Sequence, residues 1–315
     1  MSVLQNVKTL DQIKSTSYKD SFLIGELLTT KTTFLTGEPK SGKTLLAVGM
    51  VISLVNGEAD FLGLLIHNPI DRVVFGLSDD GADEELKSRL HGAVPDKSVH
   101  VFSAIETEGP SYWVGVRDYL KDVQAGLFVL DNVLGALGKG EDISSSVVAQ
   151  QVANNLRIVA GAGIPILAIT HSPKGSGEGL TVASSVIGGR AIAAAGRGVI
   201  SLRDSGKAGK RVLTKMNRAK SDLEMRVQVR RLSEDSDVPV WSRLESKPKQ
   251  IRGTDRLDGV EKVVAQIVAD ESNASSFNAL AQEYAAQAGL SPETLRKRLK
   301  PLIMFDGSEW KRCPE

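Results

Sequence analysis

The sequence predicts an α/β protein: a mainly parallel sheet with flanking helices and antiparallel edge strands, followed by a small C-terminal winged-helix-like domain. Three observations carry this prediction. Apolar, strand-like runs recur at residues 33–36, 72–77, 99–103, 127–130, 164–170 and 198–202, with helical or loop segments between them. That alternation is the pattern of parallel strands covered by helices. Beyond Leu202, "KRVLTKMNR", "EMRVQVRRL" and "PVWSRLE" are short alternating runs between charged turns, which add antiparallel strands at one edge. From about Val260 the pattern changes again, to short amphipathic helices.

Composition sets the bounds. A chain of 315 residues, 41% hydrophobic and 24% charged, suits one large soluble domain plus a small one. Its one cysteine, Cys313, excludes a disulfide framework and points to the cytoplasm. The first 20 residues lack an apolar core for export, and no run approaches the roughly 18 apolar residues of a membrane span. A net charge of +1 neither announces nor excludes a nucleic-acid binder.

The first strand, 33–36, leads into Gly37-Glu38-Pro39-Lys40-Ser41-Gly42-Lys43-Thr44, which fits the phosphate-binding loop G-x-x-x-x-G-K-[ST]. "LLAVGMVISLV", residues 45–55, then reads as a helix stopped by Asn56-Gly57. Strand, glycine loop and helix are the context the motif requires. Gly37 and Gly42 allow left-handed backbone, so that loop N–H groups turn inward on phosphate oxygens at a helix N-terminus. Lys43 would contact the β and γ phosphates of ATP, and the Thr44 hydroxyl would hold Mg²⁺.

Two carboxylates complete such a site. "GLFVLDN" is an apolar strand that ends in Asp131, beside the loop and placed to order the metal. "LSDDGADEELKSRL" follows another strand, and either Asp79 or Asp80 reaches a water aimed at the γ phosphate, unless both cap the helix that starts near Asp83. Asp79 is the candidate base. His171 ends the strand at 164–170 and on its own says little.

Residues 245–259 are polar with Pro and Gly and read as a linker, which gives domains at 1–244 and 260–315. In the second, helices are expected at 260–268 and 277–288 and in "SPETLRKRLKPLI", with "MFDGSEW" as a short wing. The last helix carries Arg296, Lys297, Arg298 and Lys300. These cations suit either DNA contact or a protein neighbour.

Taken together, "FLTGEPKSGKT", "LSDDGADEELKSRL", "LFVLDN", "AITHSPKGSGEG", "SSVIGGRAIAAAGRGVISLRD" and "LTKMNRAK" resemble the RecA-fold ATPases, and within them the RepA-type hexameric replicative helicases of phages and plasmids. The resemblance covers about residues 20 to 232 and implies a RecA-like sheet. It implies that Lys43 and Thr44 bind phosphate and Mg²⁺ and that Asp131 acts through the metal. His171 becomes a γ-phosphate sensor, and Arg197 the arginine that reaches a neighbouring subunit's nucleotide. Lys215 and Arg218 become the basic pair at that interface, with Arg190 as a lesser alternative finger. It further implies that the loops after the Asp131 and Thr170 strands, with Lys139 and Lys174, face single-stranded DNA. Their glycines and serines suit phosphate contact without base reading. One departure stands out: the family commonly has Glu where this chain has Asp79, one methylene shorter. A DNA-stimulated helicase motor is the principal expectation. A filament-forming recombination or annealing ATPase and a nucleotide-gated DNA-binding or loader protein are the alternatives.

Overall fold

In the computed structural model, the described residues are all except 1–8, 14, 16, 105–108, 138–140, 144, 173–180, 183–185, 187–191, 193–194, 207–208, 218, 220, 245–253, 270–273, 275, 289, 307–308 and 314–315. The chain divides into two compact units, Met1–Leu244 and Glu245–Glu315.

In the first unit a short hairpin of β1 (Phe22–Ile24) and β2 (Leu28–Thr29) leads into β3 (Thr32–Gly37) and helix α1 (Lys43–Val55). A second small hairpin, β4 (Asp60–Phe61) and β5 (Leu64–Leu65), precedes β6 (Val73–Leu77) and α2 (Ala82–Leu90). Then come β7 (Val99–Ser103), α3 (Gly109–Asp122), β8 (Leu127–Asp131), α4 (Ser146–Ala160) and β9 (Ile166–Ile169). Four strands close the unit: β10 (Gly198–Asp204), β11 (Lys210–Met216), β12 (Leu223–Arg231) and β13 (Pro239–Leu244). Nine of them form one sheet in the order β13-β12-β11-β10-β3-β9-β8-β6-β7. From β10 to β7 every pairing is parallel, and from β10 to β13 every pairing is antiparallel. This is the RecA-like arrangement, a mainly parallel sheet with an antiparallel edge.

The central strands read as continuous apolar runs because both of their faces are covered, and their alternation decides which residue faces which helices. Val73, Phe75 and Leu77, then Leu127 and Val129, then Leu167 and Ile169 join the core shared with α1 and α2. Val74, Phe128, Leu130 and Ala168 join the core on the other face, with Trp113 of α3 and Leu156 of α4. Each fully buried Leu or Phe contributes about 1.5–3 kcal/mol, so these two layers dominate the unit's stability. Helix α1 is apolar nearly all round because Trp241 of β13 also lies against it. Its indole N–H donates to the Leu45 carbonyl at 2.9 Å. The close approach works because residue 49 is glycine, whose Cβ would sit 2.5 Å from the indole ring.

The second unit holds α5 (Thr254–Ala269), α6 (Phe277–Tyr284), α7 (Pro292–Leu299) and a hairpin of β14 (Ile303–Phe305) and β15 (Trp310–Arg312). Its core is made by Val260, Val264, Leu280, Leu295, Leu299 and Trp310. Ser276 and Ser291 cap α6 and α7, their hydroxyls accepting from the Ala279 and Thr294 amides.

Several boundaries differ from the sequence reading. Helix α5 begins at Thr254, inside the segment read as a linker, because Thr254 and Asp255 suit a helix start despite the polar surroundings. The strand expected at 164–170 spans only Ile166–Ile169, since Pro165 brings no N–H to a ladder. The helix expected to reach 288 ends at Tyr284.

Candidate nucleotide and metal site

The same alternation that builds the core builds the site. Asp79, Asp131 and His171 each lie two residues beyond a residue buried against α1: Leu77, Val129 and Ile169. All three therefore emerge on the α1 side, at the carboxyl ends of parallel strands in register, where Leu77 pairs with Asp131 and Asp131 with Ile169. The N-terminus of α1 lies on this face, and open α/β sheets bind ligands at this edge.

The loop from Gly37 to Thr44 is shaped by two left-handed residues, Lys40 (φ 63°) and Gly42 (φ 96°). Gly42 then accepts the first helical bond, from the Leu46 amide at 2.9 Å. The expectation that Gly37 is also left-handed is corrected. It is required instead by close approach, since a Cβ there would lie 2.5 Å from the Leu202 carbonyl oxygen and 2.9 Å from Ser41 Oγ. Lys43 is buried, and its Nζ donates to the carbonyls of Gly37 (3.1 Å) and Glu38 (2.9 Å). It also lies 3.4 Å from His171 Nδ1. An ammonium only donates, so Nδ1 accepts and the imidazole proton sits on Nε2. Thr44 Oγ1 donates to Asp131 Oδ2 at 2.7 Å.

Burial and charge set the protonation of these groups. Burial is the main force raising the Asp131 pKa above its ordinary 3.8, with Asp79 adding to it. The Thr44 hydrogen bond and the charges of Lys43 and Arg89 oppose it. Burial lowers the Lys43 pKa, against the pull of Asp131 and Asp79. Burial, and then the Lys43 charge, lower His171 from 6.5, so the ring is neutral at pH 7.

These residues fit a nucleotide with Mg²⁺. Ser41 Oγ is buried without a hydrogen-bond partner among the described residues and lies within the loop that would wrap a phosphate. The Thr44 hydroxyl and Asp131 carboxylate form a hard-oxygen pair of the kind Mg²⁺ takes. No group of three or more His, Cys, Asp or Glu able to hold a metal occurs among the described residues. Phosphate oxygens and waters would therefore complete the shell, as is usual for Mg²⁺.

Neither Asp79 nor Asp80 caps the helix that follows. Helix α2 starts at Ala82 with Gly81 as its N-cap (φ 69°), and no side chain caps it. Asp79 is tied into the site instead: its Oδ1 accepts from Asn132 Nδ2 at 3.2 Å and from Ser78 Oγ at 3.3 Å. Neither Asn132 nor Ser78 was singled out by the sequence, because their roles depend on the β6–β8 register. Lys210 was also missed. Its Cε lies 3.6 Å from where a Gly42 Cβ would be, and its Nζ pairs with Asp204 at 3.2 Å, so it leans over the loop from the β10–β11 hairpin. The hairpin signal "DSGKAGK" places Asp204 opposite Lys210 and was the available clue.

Arg197 and Lys215 are not brought to this loop. The Arg197 amide donates to the Thr32 carbonyl at 2.7 Å, at the amino end of β3, and Lys215 pairs in register with Val199. Five residue steps along β3 join Thr32 to Gly37, roughly 16 Å at about 3.3 Å per residue. Lys215 is exposed and lies 3.5 Å from Asp222. Lys139, Lys174, Arg190 and Arg218 lie outside the described residues.

Among solved structures, a DnaB-like replicative helicase, described together with its interactions with primase, matches with a TM-score of 0.48 and 10% identity. The match covers 63% of this chain and 55% of that chain, so it spans little more than half of the helicase's length. No curated protein matches the sequence. Among the described residues no helix is long and apolar enough to cross a membrane. A family profile described as an AAA domain matches residues 2–177, which hold the phosphate loop, Asp79, Asp131 and His171 and make up more than half of the chain; the chain belongs to this AAA domain family of P-loop ATPases.

Proposed function

We propose that this protein is a cytoplasmic, ATP-dependent motor that assembles as a ring, a hexamer in this reading, on single-stranded DNA and works as a replicative helicase of the RepA type. The observation that carries the proposal is the separation of the chemical groups. Lys43, Thr44, Asp79, Asp131 and His171 converge on one end of the sheet. Arg197 lies at the other end, about 16 Å away along β3, and Lys215 lies level with Phe34, about 10 Å back along the strand direction. An arginine so placed serves a neighbour's nucleotide and not its own, which ties hydrolysis to assembly.

In this reading the loop amides and Lys43 hold the β and γ phosphates of ATP, and Asp79 accepts the proton of the attacking water. Thr44 and Asp131 would hold Mg²⁺, which neutralises charge on the phosphates when bound. Neutral His171, sharing Lys43 with the phosphate, passes the γ-phosphate state to the loop that follows it. Lys139 and Lys174, in the loops after β8 and β9, would contact the DNA backbone, so affinity should fall steeply with salt. Residues 260–315 would form a winged-helix-like domain after a linker. Its α7 cation Lys297 is partly neutralised by Glu293 at 2.9 Å, which weakens a DNA role for that helix.

The test is ATP hydrolysis by purified protein with and without single-stranded DNA, beside Lys43→Ala, while particle mass is followed. DNA-stimulated turnover in a closed ring, lost in the variant, is the expected result. One observation favours a second reading: Asp79 is exposed and shorter than the usual Glu. Negligible turnover with nucleotide-dependent assembly would leave a DNA-binding clamp or loader, and an open polymer would leave a recombination filament.

A further inference from the structure

Asp79 is a short base on an exposed strand end, and a free carboxylate there would sample several rotamers. Its surroundings do not leave it free. Asn132, 5% exposed, has both ends of its side-chain amide engaged. Its Oδ1 accepts from the Leu134 amide at 2.9 Å, which fixes the direction of Nδ2, and Nδ2 donates to Asp79 Oδ1 at 3.2 Å. The Ser78 hydroxyl accepts from the Asn132 backbone N–H at 2.9 Å and donates to the same Asp79 oxygen at 3.3 Å. The Ser78 amide in turn donates to the Asp131 carbonyl at 2.9 Å. Metal carboxylate and base are thus held in one hydrogen-bonded frame that joins the ends of β6 and β8.

We propose that Asn132 and Ser78 are positioning residues for hydrolysis: by donating together to Oδ1 of Asp79 they fix its rotamer and leave Oδ2 to accept the proton of the attacking water. The pair makes up in orientation for what the missing methylene takes away in reach. The proposal rests on the reading of Asp79 as the base. The competing account is that Asn132 merely caps the turn Val133–Ala136. The two differ at one atom, because only positioning needs the Nδ2 donor. Asn132→Asp keeps the acceptor for Leu134 and replaces that donor with a carboxylate oxygen, and Ser78→Ala removes the second donor together with the acceptor of the Asn132 N–H while leaving the Oδ1 bond to Leu134.

The experiment measures steady-state ATPase activity of the full chain with single-stranded DNA, together with binding of a fluorescent ATP analogue and the melting temperature. It compares Asn132→Ala, Asn132→Asp and Ser78→Ala, each made alone and in an Asp79→Ala background. Expected is a loss of kcat of about 10- to 100-fold in the Asn132 variants, the scale of a misplaced catalytic group. The loss in Ser78→Ala is smaller, and KM and analogue affinity stay within about two-fold. In the Asp79→Ala background the same changes cost nothing further, because the group they orient is gone. Asn132→Asp with wild-type kcat, or an equal loss with and without Asp79, would overturn the positioning role while leaving the base reading intact. Wild-type turnover in Asp79→Ala, or no turnover in the wild type, would overturn the base reading and this proposal with it.

Discussion

Asp131 shows how one residue trades stability for chemistry. It ends a strand whose other residues are fully buried, so its charge is poorly solvated, and burial raises its pKa despite the Thr44 hydrogen bond. A carboxyl whose folded pKa is raised favours the fold while protonated, and that contribution is lost as pH rises through the folded value. Asp131→Asn, which keeps an acceptor for Thr44, should therefore raise the melting temperature of the nucleotide-free protein at pH 7 to 8. The gain should shrink as pH falls toward 3.8, where the wild-type carboxyl takes up its proton in both states. A melting series across pH checks this, and a gain that is flat with pH would refute it. The same variant should lose Mg²⁺-dependent hydrolysis. Lys43→Ala should lower kcat by about 10²- to 10³-fold, the usual cost of removing a donor aimed at developing charge. Lys210 is a different case, because its ammonium is already compensated by Asp204 and only leans over Gly42. Lys210→Ala should raise KM for ATP several-fold and leave kcat within about two-fold, which initial-rate kinetics at varied ATP will read.

At the scale of elements, the phosphate loop works because β3, β10 and α1 meet with almost no space to spare. Gly37 lies beside Leu202, its register partner on β10, and a methyl group there would strike that residue's carbonyl oxygen. Gly37→Ala should destabilise the first unit by about 1–3 kcal/mol, the cost of overpacking a rigid site, and weaken nucleotide binding at the same time. Denaturant melts and analogue titration read the two effects separately. Most of this framework was legible in the sequence because its signals are local. Continuous apolar runs marked the central strands, the glycine motif marked the loop, and the end of the run at Asp131 marked the carboxylate that lies beside Thr44. What escaped depends on non-local register. Nothing near Asn132 or Ser78 announces that Leu77 pairs with Asp131, yet that pairing brings both onto Asp79. Gly37 was rightly singled out for the wrong reason, since a close strand crossing leaves no mark in one strand's own sequence. The start of α5 at Thr254 was missed because polar composition hides a helix whose first six residues include one large apolar residue, Leu257.

At the scale of the whole molecule, the two ends of the parallel sheet carry different halves of one reaction in the proposed function. Everything that holds phosphate and metal lies at the carboxyl ends of the strands, and Arg197 lies at the amino end of β3. No rotamer of Arg197 spans the roughly 16 Å to its own loop. A head-to-tail contact between copies, the kind that closes rings, would set one subunit's amino end against the next subunit's loop. This yields a prediction that neither variant alone can make. Lys43→Ala and Arg197→Ala should each be inactive as pure proteins, while each retains the half that the other lacks. Mixed in equal amounts and allowed to exchange subunits, they should regain activity. At random mixing about a quarter of the interfaces pair an intact Lys43 with a neighbour's intact Arg197, so turnover should approach about a quarter of wild type if sites act independently. Steeper dependence on mixing ratio would mean that neighbouring sites fire in concert. No recovery at any ratio, with subunit exchange confirmed by a labelled chain, would show that Arg197 does not act across an interface, and the link between hydrolysis and assembly would then need another residue.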